Sequence, residues 1–333
     1  MTCITDPQLS IIVLTYNRHR LLRDCLQSLL EQDVGAEKLE LIVADDGSTD
    51  CTAQVVWEFQ RDWPRLVYVR QSHKGIPATR NLGIHHASSR LIAIVADDYI
   101  LSADYASTIL CFFQENPDAE IVRFKIIASQ GDIFSRLSHF YYEISFLNRL
   151  LPQPELKRNM EKVKRYFKRL TVPKKEITTQ HELEAAGAAA FRREVFDRAG
   201  LFDESLLRGE DTDFTLRLKE LGIPVYYNPF HEVRHQYSWG CIDTLKKSFI
   251  HGVNHYRLYQ KHNANQSASE KLSAAARTLI HQFLQAIWRA RQIKRTREFF
   301  LYFPALLAFE VSVKVGMCWG LLRSHARKDS IGE

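Results

Sequence analysis

The chain has 333 residues, 45% of them hydrophobic and 25% charged. That balance excludes a largely disordered protein and allows one large domain or two smaller ones, each with a real core. Six cysteines, Cys3, Cys25, Cys51, Cys111, Cys241 and Cys318, stand singly, so neither a zinc ribbon nor a disulfide framework is expected, and a reducing compartment is the simplest reading. The net charge of +6 is unevenly placed: residues 157–175 hold nine Lys/Arg against one Glu, residues 289–328 hold nine against two acids, and the rest of the chain is acidic. The basic stretches are either solvated helix faces or surfaces for anions such as lipid headgroups or phosphorylated acceptors. The first ten residues lack a basic segment followed by an apolar one, so no secretory leader is expected.

In chain order, LSIIVLTYN (9–17) is a continuous β-branched apolar run, the pattern of a strand covered on both faces. Leucines at helical spacing predict a helix at 20–32. Strands at 39–48, 65–71 and 90–98 then alternate with helices at 50–63, 76–88 and 103–114. Such alternation implies a parallel sheet with right-handed crossovers, whose ligands bind beyond the carboxyl ends of the strands. Residues 126–180 break the pattern: 140–151 and the basic run after it read as amphipathic helix, divided by Pro152 and Pro154. The chain becomes compact again from 185, with a helix at 211–222 closed by Gly222 and a strand at 223–229. After residue 240 the pattern is helical.

Several stretches bring chemistry to the expected rim. Thr15, Tyr16 and Asn17 close the first strand; Tyr16 is either a loop residue packed on its neighbours or a surface for a nucleobase. In DDGSTD (45–50) a strand runs into Asp45 and Asp46, then a glycine turn, then residues fit to cap a helix. Capping explains Ser48 to Asp50 but not Asp45, whose carboxylate can accept a base imide N–H or ribose hydroxyls. Arg80, early in the helix at 76–88, is either a surface residue or a partner for phosphate or base. Asp97 and Asp98 end the fourth strand, as a helix cap or as carboxylates for a hard divalent cation, Mg²⁺ or Mn²⁺, that also holds a diphosphate. Glu210, Asp211 and Asp213 cluster where a helix dipole favours acids, and an acid there is also placed to act as general base on a hydroxyl. HEVRH (231–235) matches the zinc-protease signature HExxH, which requires a helix. Its β-rich surroundings predict extended chain, in which positions i and i+4 lie about 13 Å apart. A zinc protease is therefore not expected, and His235 alone remains a candidate metal ligand.

Taken together, SIIVLTYNR, LIVADDGSTD, KGIPATRNLGI, IVADDY, GAAAFRREVFDRAGLFDESLLRGEDTDFTLRLKELG and a later His resemble the family 2 glycosyltransferases of the GT-A fold, over residues 9 to 240. The resemblance implies a Rossmann-like α/β catalytic domain at 8–240, with a mostly parallel central sheet and a basic helical insert at 130–180, followed by a helical region at 241–333. It implies an inverting transferase that moves a sugar from a nucleoside-diphosphate donor, UDP-linked above all, to an acceptor hydroxyl. By the same resemblance Thr15, Tyr16, Asn17, Asp45, Asp46, Arg80, Asp97, Gly187 and Glu210 would serve the donor, with Tyr16 and Asp45 at the base and Gly187 in the stretch lining the sugar pocket. Asp98 and His235 would hold the cation, and Asp211 would be the base. One departure stands out: Ala96 occupies the place of the family's first metal-motif acid.

Residues 299–323 are the most apolar stretch but contain Pro304, Glu310 and Lys314 and are flanked by arginines. A spanning helix would bury two charges, so a helix lying in the membrane surface or packed as core is expected instead. The expected partners are a nucleotide sugar, a glycan or lipid-linked acceptor and a membrane surface, met through 299–323 and 157–175, with no nucleic acid. The expected location is the cytoplasmic face of a membrane. The competing readings are an inert sugar-nucleotide-binding module and a nucleotidyltransferase, though LTYNRHR offers no Gly-rich phosphate loop.

Overall fold

The computed structural model describes residues 6–128, 177–180, 183, 186–206 and 209–236, together with scattered helical positions within 242–253 and 308–319. The chain divides into two compact units, one of residues 1–129 and 157–236, the other of 130–156 and 237–333.

The first unit is built on one nine-stranded sheet. Strands β1 (Leu9–Thr15), β2 (Leu39–Asp45), β3 (Leu66–Arg70) and β4 (Leu91–Ala96) alternate with helices α1 (His19–Leu30), α2 (Thr52–Phe59) and α3 (Ile76–His86). The remaining elements are β5 (Tyr99–Ile100), α4 (Tyr105–Glu115), β6 (Ile121–Ala128), β7 (Thr178–Gln180), β8 (Ala188–Arg192), α5 (Glu194–Ala199), α6 (Glu210–Glu220) and β9 (Val225–His235). The sheet order is β3-β2-β1-β4-β8-β6-β9-β5, with β7 paired to β9. The half β3-β2-β1-β4 is parallel. β8 runs antiparallel to both β4 and β6, while β6 and β9 are parallel.

Both sheet faces are covered, which explains the unbroken apolar runs. Leu9, Ile11 and Val13 of β1, with Val43 and Val95, pack against α1, α2 and α4 through Leu22, Leu26, Val56, Ile109 and Phe112. Ile12, Ile42, Ile92 and Ile94 face the other way, toward Ile84 of α3, Phe196 of α5 and Phe214 and Leu218 of α6. Each such buried side chain contributes about 1.5–3 kcal/mol. β9 runs well past the predicted strand at 223–229, because β6 and then β5 pair with it through His235. β8 escapes the sequence reading: Ala188, Ala189 and Ala190 have little strand preference, and their conformation is set by pairing on both sides.

In the second unit, the Ser312 hydroxyl donates to the Leu245 carbonyl at 2.8 Å. A Cβ at Gly316 would overlap the Phe249 carbonyl, so two helical segments meet backbone to backbone there. Among the described residues no helix is long and apolar enough to cross a membrane. The predicted helix at 140–151, the basic run 157–175 and most of 299–323 lie outside the described residues.

Helix α3 approaches β1 closely enough that a Cβ on Gly83 would overlap Ile12 Cγ2. Gly83→Ala is expected to cost about 1–3 kcal/mol by overpacking, measured by urea unfolding. Combined with Ile12→Ala, it should cost less than the sum of the two single changes; strictly additive costs would contradict the contact.

Candidate active site at the carboxyl edge of the sheet

The acids expected at the strand ends occupy one rim. β1 and β4 are neighbours, and as β4 ends the Thr15 hydroxyl donates to Asp97 Oδ2 at 2.8 Å. Arg18, just past β1, spans both acids: Nη2 lies 2.6 Å from Asp97 Oδ1 and Nη1 donates to Asp98 Oδ2 at 2.7 Å. Burial works against the charge on Arg18, but Asp97 and Asp98 outweigh it and hold the guanidinium above its ordinary range. The second half of the rim comes from β9. Tyr99 pairs with His235 across the β5–β9 ladder, and Gln236 N–H donates to the Asp98 carbonyl at 2.7 Å.

This pairing sets His235 Nε2 3.7 Å from Asp98 Oδ1. That oxygen is buried and accepts no hydrogen bond among the described residues. A buried carboxylate oxygen facing an imidazole nitrogen suits a divalent cation, so the residues fit the expected ion. They would supply two ligands rather than a full shell: among the described residues no three His, Cys, Asp or Glu side chains converge as a metal cage. Mg²⁺ and Mn²⁺ sites commonly complete their shell with substrate phosphate and water.

Asp45 and Asp46 sit at the end of β2 and hold backbone. Asp45 Oδ1 accepts from Ser48 N–H at 2.8 Å and from the Ser48 hydroxyl at 2.6 Å, while the Tyr68 hydroxyl donates to Oδ2 at 2.5 Å. Asp46 accepts from Gln71 Nε2, Lys74 N–H and Gly75 N–H at 2.8–2.9 Å and pairs with His73 Nδ1 at 2.8 Å. It thereby fixes the loop that starts α3. Gly47, at φ +87°, makes the turn from Asp45 to Ser48 possible. Asn17, with φ 52°, ties the β1 loop to the same turn: its N–H donates to Ser48 Oγ, and Thr49 N–H donates to its side chain, both at 2.8 Å.

From that anchored start, α3 carries Arg80 to the first turn of α6. Arg80 Nη1 donates to Glu210 Oε1 at 2.8 Å and to Asp211 Oδ1 at 2.6 Å, and the guanidinium lies over the Phe202 ring. Burial opposes its charge, yet Asp211 and Glu210 prevail and keep it protonated. The two acids differ in access: the Asp211 side chain is 24% exposed and Glu210 only 6%. Arg217 braces the helix, with Nε on Asp213 and its Nη groups on the Ala199 and Leu201 carbonyls.

The remaining expected residues are placed as follows. Tyr16 is 40% exposed and stacks on His73, with ring centroids 4.2 Å apart. Gly187 is buried at the start of β8, where an added Cβ would make ordinary contact with the Tyr99 ring at 3.6 Å. His231 and His235 lie on an extended strand with separate partners, which removes the protease geometry. His231 meets Ser102 and Thr108, and burial pushes its pKa below the ordinary value despite Asp104 nearby. Arg18, Tyr68 and His73 were missed from the sequence. For Arg18 the available signal was a cation directly after TYN, at a helix start where acids are preferred.

Burial raises the Asp97 carboxyl to about 7, with Arg18 drawing it down and Asp98 pushing it up. Between the unfolded carboxylate value of about 4 and that of the fold, the folded state keeps a proton the unfolded chain has released. The stability from this group is full below the unfolded value and is lost as pH rises through 7. Asp97→Asn, unfolded in urea with a chelator present, is therefore expected to gain on the wild type between about pH 4 and pH 7, by up to about 1.4 kcal/mol per pH unit, and to gain no more above that. A difference independent of pH would contradict the burial argument.

Residues 10–200 match the family described as Glycosyl transferase family 2. Among similar proteins, the uncharacterized glycosyltransferase EpsJ of Bacillus subtilis is 28% identical over 272 residues, covering 76% of this chain and 71% of the relative. The GalNAc(5)-diNAcBac-PP-undecaprenol beta-1,3-glucosyltransferase of Campylobacter jejuni is 38% identical over 106 residues, 31% of this chain and 34% of the relative. Glycosyltransferase GlyA of Streptococcus pneumoniae is 32% identical over 106 residues, 32% of this chain, and the match spans only 15% of that longer protein. The fold is similar to that of the mannosyltransferase PcManGT from Pyrobaculum calidifontis, solved with GDP-Man and Mn²⁺ (TM-score 0.59, 19% identity, 95% of this chain and 88% of the other). It is also similar to that of S. aureus TarS 1-349 solved with UDP-GlcNAc (TM-score 0.52, 18% identity, 79% and 69%). The chain belongs to glycosyltransferase family 2 and is a glycosyltransferase of the GT-A fold.

Proposed function

We propose that the protein transfers a sugar from a UDP-linked donor to an acceptor hydroxyl with inversion, assisted by Mn²⁺ or Mg²⁺, in the synthesis of a glycan or polysaccharide on a lipid-linked or membrane-bound acceptor. The observation that carries this reading is the pair formed by the buried Asp98 Oδ1 and His235 Nε2, beside which Asp46 anchors the start of the helix that carries Arg80 to Asp211. The relative from Campylobacter is named for a polyprenol-diphosphate-linked acceptor, and the two structural neighbours were solved with nucleotide sugars, one of them with Mn²⁺.

Asp98 and His235 are the residues to hold the cation, with Asp97 behind them held by Thr15 and Arg18. When bound, a divalent cation supplies Lewis-acid stabilisation of the leaving diphosphate. The exposed face of Tyr16 is available to a nucleobase. Asp211 is the base, since it is the more exposed of the two carboxylates on Arg80. It accepts the proton of the acceptor hydroxyl as that oxygen attacks the anomeric carbon, and the bond to the diphosphate breaks on the opposite side. Arg80 holds Asp211 Oδ1 and so orients the carboxylate.

Membrane attachment at the cytoplasmic face accords with the apolar stretch 299–323 and the basic segments. Val311, Val315 and Trp319 recur at four-residue spacing and are about half exposed, at 51%, 54% and 47%. One helical stripe of this kind is suited to lying in a bilayer surface.

A thermal-shift screen of UDP-, GDP- and dTDP-sugars is expected to give a Mn²⁺-dependent rise with the UDP-sugars. Asp211→Asn should keep that rise and lose turnover by about 10²–10⁴-fold; wild-type turnover in this variant would reject the base assignment. In flotation at low salt the protein should rise with anionic liposomes and remain below with neutral ones. Equal recovery in the bottom fraction with both would reject the membrane reading.

A further inference from the structure

Arg18 breaks a local rule. It is the N-cap of α1, with φ −139° and no side-chain capping bond, so a cation stands at the positive end of the helix dipole. Residues that oppose local preference are expected where function holds them. The compensation comes from Asp97 and Asp98, at 2.6 and 2.7 Å. The three side chains differ in access: Arg18 is 34% exposed, Asp97 0% and Asp98 5%. The guanidinium is thus the solvent-facing member of the triad.

The triad also divides the two oxygens of Asp98. Oδ2 is held by Arg18, whereas Oδ1 is buried, accepts no hydrogen bond among the described residues and faces His235 Nε2 at 3.7 Å. The bond from Gln236 N–H to the Asp98 carbonyl fixes the second relationship through the backbone. The first depends on one flexible side chain.

We propose that Arg18 is a positioning residue for the cation site: it reserves Asp98 Oδ1 for the ion and makes ion binding depend on the donor diphosphate. The inference rests on the metal-assisted reading above. Asp97, Asp98 and Arg18 together carry at most one net negative charge, too little to hold a divalent ion firmly. The anionic diphosphate supplies the missing negative charge, so ion and donor enter together. Replacing Arg18 by a neutral residue removes a positive charge from beside Asp98, which favours the ion alone and removes a cation from the diphosphate's surroundings. The effects on ion and nucleotide therefore have opposite signs. A merely structural role for Arg18 would weaken both.

The test is a Mn²⁺ titration of wild type, Arg18→Met, Arg18→Gln and Arg18→Lys, following the free aqua ion by electron paramagnetic resonance, with and without UDP or GDP. Circular dichroism reports folding. Arg18→Met is expected to bind Mn²⁺ alone about tenfold more tightly than wild type or better, with a smaller further gain on adding nucleotide. Arg18→Gln keeps a donor near Asp98 without the charge and should behave in the same way, so the test survives misfolding of the methionine variant. Arg18→Lys keeps the charge and should leave binding of Mn²⁺ alone weak. Folded neutral variants that bind Mn²⁺ no more tightly than a wild type showing nucleotide-dependent binding would overturn this inference alone. A wild type that binds no Mn²⁺ with either nucleotide would overturn the metal-assisted reading as well.

Discussion

Two guanidinium groups, each held between two carboxylates, organise the working edge of this protein. Arg18 joins Asp97 to Asp98, and Arg80 joins Glu210 to Asp211. Without these cations the fold would bury like charges side by side, and an uncompensated buried charge costs several kcal/mol. The two triads come from distant parts of the chain. Arg18 stands at the start of α1 and its acids at the end of β4, while Arg80 lies in α3 and its acids open α6. Closing both requires that β1 and β4 be neighbours and that α3 and α6 cover the same sheet face, and the topology supplies both conditions.

The acids of DDGS have a different duty from those of the triads. Asp45 and Asp46 brace their own turn and the loop at 71–75, and so shape the backbone there. That shape matters in turn. Asp46 pins Gly75, Gly75 begins α3, and α3 delivers Arg80 to Asp211. The link from the turn to Asp211 is thus a chain of hydrogen bonds and one helix. Substitution of Asp46 should therefore be felt at Asp211 without any direct contact.

Much of this was legible in the sequence because parallel strands covered on both faces leave long apolar runs. β1, β2 and β4, the helices between them and the acids at their ends were all readable. The HEVRH segment was readable as extended chain from its neighbours, and β9 is indeed a strand. Other features were hidden for definite reasons. A capped turn and a ligand-binding turn share one sequence, so the hydrogen bonds by which Asp45 and Asp46 hold the turn and the loop before α3 could not be read from the residues alone. β8 is three alanines, a phenylalanine and an arginine whose strand conformation comes from its two partners. The meeting of Asp98 with His235 depends on a two-residue strand, β5, too short to leave a pattern. Arg18 was overlooked because side-chain direction, rather than spacing, brings it onto both acids.

The most direct measurement is anomalous diffraction from crystals soaked with Mn²⁺ and UDP. The expected result is a manganese peak within coordination distance of Asp98 Oδ1 and His235 Nε2, with the diphosphate on the ion and Asp211 facing the same cleft. Manganese bound elsewhere, or a diphosphate seated away from the carboxyl ends of β1, β2 and β4, would contradict the placement of the active site.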